Sequence, residues 1–262
     1  GAAAGAALLG LRPVAEVMTI NFAFLAMDQI VNHVAKLHYM FNGQFTCPMV
    51  IRTVGGGGRQ LGATHSQTPD VVFAHFPGLK VVAPATPADA KGLLKSAIRD
   101  DDPVIFIEHA TLYQVRGEVP DDEDYLVPIG VSDIKRQGKD VTIVSYSKML
   151  QTSLEAAEQL AAQGIEAEVI DLRTLRPLDT RPILASVRKT NRMVMVEEGW
   201  RSYGVGAEIA SRVTELAFDY LDAPVRRVAQ AEVPLPYNRR LEQLALPQVA
   251  DIVAAAKDVL YQ

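Results

Sequence analysis

The sequence predicts an α/β protein made of two domains, each a three-layer α/β/α arrangement. Three observations support this prediction. Short runs of β-branched residues alternate with amphipathic helical patterns, an acidic stretch interrupts the alternation once, and the length of 262 residues exceeds the roughly 150 of an average domain. Because strands that alternate with helices form parallel sheets covered on both faces, we expect one such sheet in each half of the chain.

The first half of the chain contains four strand patterns separated by helical ones. Runs rich in β-branched residues predict strands at Val14–Thr19, Met49–Val54, Leu79–Ala83 and Val104–Glu108. Apolar residues recur every three or four positions from Phe22 to Leu37, which predicts an amphipathic helix. Another helix is expected to begin at Pro87, with Thr86 as its N-cap.

Residues 116–139 interrupt this pattern and are interpreted as a solvated connector, because they carry the acidic run Asp121–Asp124 and two prolines. The alternation resumes after them. It predicts strands at Val141–Ser145, Ala167–Leu172, Met193–Glu197 and Val225–Val228. It predicts helices at Arg181–Lys189 and Val249–Leu260, with further helical stripes from Leu150 and from Val205. The predicted domains are therefore 1–117 and 140–262, joined by a linker at 118–139.

Composition argues against several classes of protein. The 26 basic and 31 acidic side chains give a net charge of −5, which disfavours nucleic acid as a partner. Cys47 is the single cysteine, so an internal disulfide is excluded, a cysteine zinc site is disfavoured and a reducing compartment is expected. The apolar stretch Gly1–Leu11 is too short to cross a bilayer and lacks the features of a signal peptide. We expect it to be an interior small-residue helix of a longer natural chain.

Two glycine-rich segments invite a nucleotide-binding interpretation. Gly55–Gly58 follows a predicted strand, but no Lys-Ser/Thr pair follows it, and it does not complete a dinucleotide fingerprint. The pair Gly204 and Gly206 also fails, because Ile209 stands where the third small residue belongs. Both segments are expected to be tight turns or close backbone approaches.

Three polar positions are candidates for chemistry. His65 lies in a polar loop beside hydroxyl and amide groups that can fix its tautomer, and imidazole exchanges protons near neutral pH; the alternative is a histidine that only hydrogen-bonds locally. Asp100–Asp102 is either a cation site or a helix-to-strand turn. Glu197 and Glu198 are either an acid/base pair or structural carboxylates near a helix N-terminus. Weaker candidates are His33, His38, His75 and His109.

A series of motifs along the whole chain resembles the beta subunits of thiamine-diphosphate-dependent 2-oxo acid dehydrogenases. The motifs are Gly10–Pro13, Asp28–Asn32, His65–Gln67, Pro77–Val82, Ala90–Arg99 and Leu175–Pro177. Later motifs are most similar to the pyruvate dehydrogenase branch of that family. They are Val196–Gly199, Gly204–Glu208, Leu221–Pro224 and Val233–Tyr237.

The resemblance implies a pyrimidine-binding thiamine-diphosphate fold over 1–117, followed by a transketolase C-terminal-like domain. It also implies an alpha2beta2 heterotetramer that holds thiamine diphosphate at the alpha–beta interface. The Gly-Asp-Gly segment and the downstream Asn-Asn pair that bind the diphosphate and Mg²⁺ are absent from this sequence. That absence is expected of a beta subunit, since the alpha subunit carries them.

The resemblance also assigns roles to individual residues. Phe22 matches the residue that packs on the aminopyrimidine ring, and His65 matches an active-site histidine that positions and protonates intermediates during acyl transfer to lipoamide. The family's structural potassium site matches Met49, Ala97, Ile98, Asp100 and Asp102. A family glutamate that protonates the aminopyrimidine lies just upstream of the position matched by Gly1, and we expect the natural chain to carry it.

The function implied is oxidative decarboxylation of pyruvate, with acetyl transfer to the lipoyl groups of an acyltransferase core. One alternative is a branched-chain 2-oxo acid or acetoin dehydrogenase beta subunit. Another is a non-catalytic scaffold that docks onto the core through the C-terminal domain. No nucleic acid or membrane partner is expected, and the compartment is expected to be bacterial cytoplasm, with mitochondrial matrix and plastid stroma as alternatives. The apolar segments Gly1–Gly10 and Phe22–Tyr39 are expected to be buried against partner subunits.

Overall fold

The computed structural model describes all 262 residues and contains two five-stranded sheets. The strands are β1 Val14–Val17, β2 Val50–Gly55, β3 Lys80–Val82, β4 Val104–His109, β5 Asp133–Arg136, β6 Val141–Ser145, β7 Ala167–Asp171, β8 Thr174–Arg176, β9 Met193–Trp200 and β10 Arg226–Gln230. The α-helices are α1 Ala2–Leu8, α2 Leu37–Met40, α3 Asp70–His75, α4 Pro87–Arg99, α5 Lys148–Ala161, α6 Arg181–Thr190, α7 Val205–Ala217, α8 Arg239–Ala245 and α9 Val249–Val259.

The first sheet has the order β1-β2-β4-β3-β8. Strands β1, β2, β4 and β3 are parallel, with Val14 beside Val50 and Val50 beside Val104. The short strand β8 joins the far edge antiparallel to β3, although it follows β7 of the second sheet in sequence. The carboxyl ends of β1, β2 and β4 therefore meet at one edge of the sheet.

The second sheet has the order β10-β9-β6-β7-β5. Strands β10, β9, β6 and β7 are parallel, with β10 at one edge of the sheet. Strand β5 lies at the other edge, antiparallel to β7. Helices α5 and α9 pack on one face, where Leu150 and Ile252 are buried in a 17-residue cluster. Helices α6 and α7 pack on the other face, against β6 and β9.

A single hydrophobic core joins the two halves. This cluster of 29 buried residues includes Phe73 and Ile105 from the first half and Ile170 and Met195 from the second. A smaller cluster of 7 residues, which includes Phe106, lies between the first sheet and α4. The two sheets consequently pack into one body, with an interior boundary between them.

The alternation in the sequence predicts most of these elements. The fold class is confirmed: there are two mixed α/β sheets with helices on their faces. The predicted helix from Phe22 to Leu37 differs, because Ile20–Ala26 forms 3₁₀ turns and Asp28–Val34 forms a π-helical segment. Its apolar stripe is still present, since Ile30 and Val34 are buried.

The predicted connector is also more ordered than its composition indicates. Asp121–Asp124 is exposed, as expected, but Val127 is buried against α4 and residues 133–136 form β5. The domain limits 1–117 and 140–262 remain a prediction. No helix in the chain is both long and apolar enough to pass through a bilayer.

Candidate active site where the first sheet's strands end

Phe22 and His65 lie together at the edge where β1 and β2 end. Their ring centroids are 5.3 Å apart and the rings are nearly perpendicular, with an interplanar angle of 85°. Both side chains reach the surface, and 39% of Phe22 is exposed. The edge of one ring meets the face of the other, which is a favourable aromatic geometry and leaves part of the Phe22 ring accessible.

The 3₁₀ turns after β1 determine the direction of Phe22. Its backbone N–H donates to the Thr19 carbonyl at 2.9 Å, and the Thr19 hydroxyl donates to the Asn21 side-chain oxygen at 2.9 Å. The neighbouring side chains of Ile20 and Ala23 are buried in the core. Because those two residues anchor the turn, Phe22 faces outwards.

His65 lies in the loop that follows β2. Its backbone N–H donates to the Gly62 carbonyl at 3.3 Å, and its Nδ1 lies 2.8 Å from the Thr64 hydroxyl. A Thr64 hydroxyl that donates to Nδ1 leaves the proton of a neutral ring on Nε2. The side chain therefore combines the predicted local hydrogen bond with a free Nε2 facing the surface beside Phe22.

The glycine run after β2 is held by carboxylates of the second half. Gly57 N–H donates to Glu198 Oε1 at 2.8 Å, and Gly58 N–H donates to Glu242 Oε1 at 3.0 Å. A Cβ on Gly56 would lie 2.0 Å from His109 Nε2. The prediction of a close backbone approach is confirmed, and the N–H groups that a phosphate would need already have acceptors.

The second glycine pair is also a close approach. A Cβ on Gly204 or Gly206 would lie 2.6 Å from carboxylate oxygens of Glu197. Glu197 accepts a hydrogen bond from the Gly206 N–H at 3.1 Å, in the first turn of α7. Glu197 thus lies at the N-terminus of α7, as the structural interpretation of this strand-end carboxylate expects.

A buried set of titratable groups lies behind the glycine run, at the boundary between the two sheets. His109 Nε2 lies 2.9 Å from Glu198 Oε2, and both side chains are buried. Burial opposes the charge of Glu198, but His109 and the Gly57 N–H outweigh it and lower its pKa. Burial, with the nearby charge of Glu198, raises the pKa of Asp70 to about 6. Burial likewise raises the pKa of Glu197 to about 7.

The residues of the predicted potassium site lie around the turn between α4 and β4. Arg12 Nη1 donates to the Ile98 carbonyl at 3.2 Å and to the Asp100 carbonyl at 2.8 Å. Lys80 Nζ lies 2.7 Å from Asp100 Oδ1 and 3.1 Å from Asp102 Oδ2. The acidic cluster thus forms the turn between α4 and β4, and its oxygens are paired with Arg12 and Lys80.

The oxygens of this turn already have donors, but they keep capacity for a cation. The Met49 carbonyl accepts from the Val104 N–H at 3.0 Å. A carbonyl oxygen has two lone pairs, so it can accept an N–H and also contact an ion. The assignment of Met49, Ala97, Ile98, Asp100 and Asp102 as potassium ligands stays a prediction. No cluster of three or more His, Cys, Asp or Glu side chains is arranged to hold a metal.

The other histidines do not join this site. His33 and His38 are exposed on the helical segments after Phe22, and His75 ends α3. Sequence reasoning gave no role to Glu242, which is buried and binds the glycine run from α8. No sequence signal marks it, because its partners are backbone N–H groups 182 and 184 positions away.

The comparisons with known proteins bear on the whole chain. Residues 1–116 match the family described as "Transketolase, pyrimidine binding domain", and residues 130–252 match "Transketolase, C-terminal domain". The chain is 52% identical over 265 residues to "Pyruvate dehydrogenase E1 component subunit beta-1, mitochondrial" of Arabidopsis thaliana, and the match covers 100% of this chain and 73% of that relative. The chain belongs to the pyruvate dehydrogenase E1 beta-subunit family.

Bacterial members of the pyruvate dehydrogenase E1 beta-subunit family match equally well. The subunit of Rhizobium meliloti (strain 1021) is 52% identical over 262 residues, and the chain spans 57% of its length. That of Rickettsia felis (strain ATCC VR-1525 / URRWXCal2) is 51% identical, and the chain spans 80% of it. A solved structure named "Split gene transketolase, inactive beta4 tetramer" has a TM-score of 0.80 at 28% identity and covers 100% of this chain and 80% of its own.

Proposed function

We propose that this chain provides half of the active site of a pyruvate dehydrogenase, and that it acts only with an alpha partner. The observation that supports this most directly is the pair Phe22 and His65, an accessible aromatic ring beside a surface imidazole, at the edge where β1 and β2 end. Within the E1 beta-subunit family, this pair lies in the half that matches a pyrimidine-binding domain.

The exposed Phe22 ring fits the flat end of thiamine diphosphate. An aromatic ring orients a planar heterocycle without competing for its hydrogen-bonding groups. When bound, the cofactor supplies the nucleophile and the electron sink for decarboxylation. Phe22 then orients the pyrimidine, while the Nε2–H of His65 donates a hydrogen bond or a proton to the reacting group.

The overall reaction proposed is balanced by a lipoyl disulfide. Pyruvate, the oxidised lipoyl group and one proton give S-acetyldihydrolipoyl and carbon dioxide. The carbon–carbon bond to the carboxylate breaks, a carbon–sulfur bond forms, and the disulfide accepts the electron pair. The second sulfur takes the proton, and His65 is placed to deliver it.

The alpha partner is proposed to cover the apolar surface around Phe22. Met18 and Leu25 are largely exposed on either side of it, as are Leu9 near the N-terminal helix and Tyr39 on α2. Large apolar side chains exposed on the segments around Phe22 support an interface there, since such residues are commonly covered by a partner. We propose the alpha2beta2 arrangement, with the diphosphate and Mg²⁺ on the alpha side and a structural K⁺ at the turn after α4.

We propose bacterial cytoplasm as the compartment. Relatives come from both bacteria and mitochondria. Cys47 is a free, buried cysteine whose pKa is raised by burial, which keeps it a thiol in any reducing compartment. The proposed limits of the functional parts remain 1–117 and 140–262.

The test of this function is a co-expression assay with the alpha subunit encoded in the same genome. The complex is expected to form S-acetyldihydrolipoamide from pyruvate and lipoamide. One carbon dioxide is released and one proton is taken up for each acetyl group transferred. Preference for a branched-chain 2-oxo acid or acetoin would move the assignment to those relatives. Turnover of none of them, with no binding of thiamine diphosphate, would contradict the proposal and favour a scaffold.

A further inference from the structure

The loop that carries His65 is closed at its base. Gly56 N–H donates to the Gln67 carbonyl at 3.3 Å, so the loop leaves and re-enters the edge of the first sheet at one place. Between these two residues the chain makes no strand pairing. Within the loop the one backbone hydrogen bond runs from the His65 N–H to the Gly62 carbonyl, so groups that bind the backbone from outside help to fix its conformation.

Glu242 supplies one of those groups. It belongs to α8 and is only 1% exposed, and its carboxylate accepts hydrogen bonds from two loop N–H groups. The distances are 3.0 Å from Gly58 N to Oε1 and 3.1 Å from Gln60 N to the same oxygen. No basic side chain pairs with Glu242, so its charge is balanced by these loop N–H groups.

Glu198 supplies the other. It accepts from Gly57 N at 2.8 Å while it is held from behind by His109. The glycine positions make this approach possible: a Cβ on Gly56 would lie 2.8 Å from Glu198 Oε1, and its φ of +88° is one that L side chains rarely adopt. The two carboxylates of the second half thus bind three backbone donors of the first, the N–H groups of Gly57, Gly58 and Gln60.

Resting on the proposed function, we propose that Glu242 and Glu198 are positioning residues that hold the His65 loop in its working conformation. They touch neither ring of the site and act through the backbone N–H groups of Gly57, Gly58 and Gln60. His65 follows only five positions after Gln60, so a change at these anchors moves its imidazole relative to Phe22. Displacement of a catalytic group by about 1 Å is enough to slow a reaction severely.

The test uses the assembled complex and two electron acceptors. Lipoamide requires the transfer step assigned to His65, whereas two equivalents of ferricyanide with water yield acetate and carbon dioxide without it. Glu242→Gln keeps the shape of the side chain but removes its charge, and its amide NH₂ cannot accept the Gln60 N–H that lies 3.2 Å from the second carboxylate oxygen of wild type. We expect the ratio of lipoamide-dependent to ferricyanide-dependent kcat to fall about tenfold, with KM for pyruvate unchanged.

Two further variants make the result specific. Glu155→Gln, on the exposed face of α5, is the matched control and is expected to keep the wild-type ratio. In the background of His65→Gln, Glu242→Gln is expected to have no further effect on the ratio, because it acts through the histidine. Glu198→Gln is expected to behave like Glu242→Gln.

An activity-independent readout separates this proposal from the proposed function. Hydrogen exchange of the complex is expected to show faster exchange over residues 57–65 in Glu242→Gln and unchanged exchange there in Glu155→Gln. Equal losses with both acceptors, additivity with His65→Gln, or unchanged exchange over 57–65 would each overturn the positioning role. A wild-type complex that turns over no 2-oxo acid would instead overturn the function, while faster exchange would still support the anchoring.

Discussion

Phe22 and His65 meet edge to face, 5.3 Å between ring centroids, although 43 positions separate them in the sequence. One follows β1 and the other follows β2, and the parallel pairing of these strands brings their carboxyl ends together. The ring of Phe22 is accessible, and the imidazole keeps a free nitrogen. The pair therefore offers a flat apolar surface and a proton donor at one place.

Phe22→Leu is expected to weaken thiamine diphosphate binding to the complex about tenfold, because leucine retains apolar contact but loses the aromatic face. Isothermal titration calorimetry of the cofactor into the alpha–beta complex measures this. Phe24→Leu, on the same 3₁₀ segment and similarly exposed, is the control. An equal loss with Phe24→Leu would remove the assignment from Phe22.

His65→Gln is expected to lower lipoamide-dependent turnover by about a hundredfold and ferricyanide-dependent turnover far less, since general acid catalysis contributes roughly that much. The measurement is steady-state kinetics with each acceptor. His33→Gln is the control, because that histidine is exposed on the segment after Phe22, where its side chain lies beside Asp28. If both acceptors slow equally in His65→Gln, the transfer role is wrong.

Glu197 makes stability depend on pH. Its pKa is about 7 in the folded chain and about 4.5 when unfolded, so the folded chain binds the extra proton between these values. The free energy of unfolding is therefore expected to fall as pH rises through that window, and Glu197→Gln, which stays neutral, removes this loss. Relative to wild type, the variant is expected to gain about 3 kcal/mol between pH 4.5 and pH 8.

Urea unfolding at a series of pH values measures this gain. Asp70, whose pKa is raised to about 6 in the same buried set, contributes through its charge to the raised pKa of Glu197, so the measured gain includes the coupling of the two groups. Glu155→Gln is the control, with an expected difference that does not change with pH. A pH-independent difference for Glu197→Gln would contradict the raised pKa.

A buried ion network holds the two halves of the chain together. Asp89 of α4 is 1% exposed in its side chain, and it pairs with Lys135 of β5 and with Arg173, each at 2.7 Å. Asp89→Ala leaves two cations without this partner, so we expect a loss of about 3 kcal/mol in the free energy of unfolding. Asp101→Ala removes an exposed pair with Arg12 and is expected to cost less than about 1 kcal/mol. Equal costs in chemical denaturation would contradict the distinction.

The potassium prediction concerns the turn after α4. Replacing 100 mM tetramethylammonium in the buffer with 100 mM K⁺ is expected to raise the midpoint of thermal unfolding by about 3 °C. An ion that binds only the folded state stabilises that state. Asp102→Ala is expected to reduce this rise, and Asp121→Ala, in the exposed acidic run, is expected to leave it unchanged. Identical midpoints in the two salts would show that Arg12 and Lys80 supply the only cations of this turn.

Periodicity was sufficient for the long elements and failed for short ones with tertiary causes. The strand Val141–Ser145 is fully buried and has the predicted limits, because a short apolar run rich in β-branched residues favours a buried strand. The strand β8 has three residues and pairs with β3 of the other half, so no local pattern announces it. The 3₁₀ turns at Ile20–Ala26 depend on the buried Thr19–Asn21 contact and on core packing, which override the helical stripe.

The residues of the candidate site also fall into those that the sequence predicts and those that only the tertiary structure reveals. The polar loop already predicts His65 as a candidate, the family resemblance adds Phe22 and the roles of both, and the parallel sheet explains why they meet. Glu242 and Glu198 were not found as a set, because a carboxylate that binds backbone N–H groups requires no particular residue at the partner positions. The glycine run signalled a close approach but not what approaches it.

The central claim is that this chain contributes the pyrimidine-binding half of a shared cofactor site. The most direct test is a structure of the alpha–beta complex with thiamine diphosphate bound, determined by electron cryomicroscopy or crystallography. The aminopyrimidine is expected to stack on Phe22 in van der Waals contact, with His65 facing the reactive end and the diphosphate held by the partner chain. A cofactor bound away from Phe22, or held by either chain alone, would contradict it.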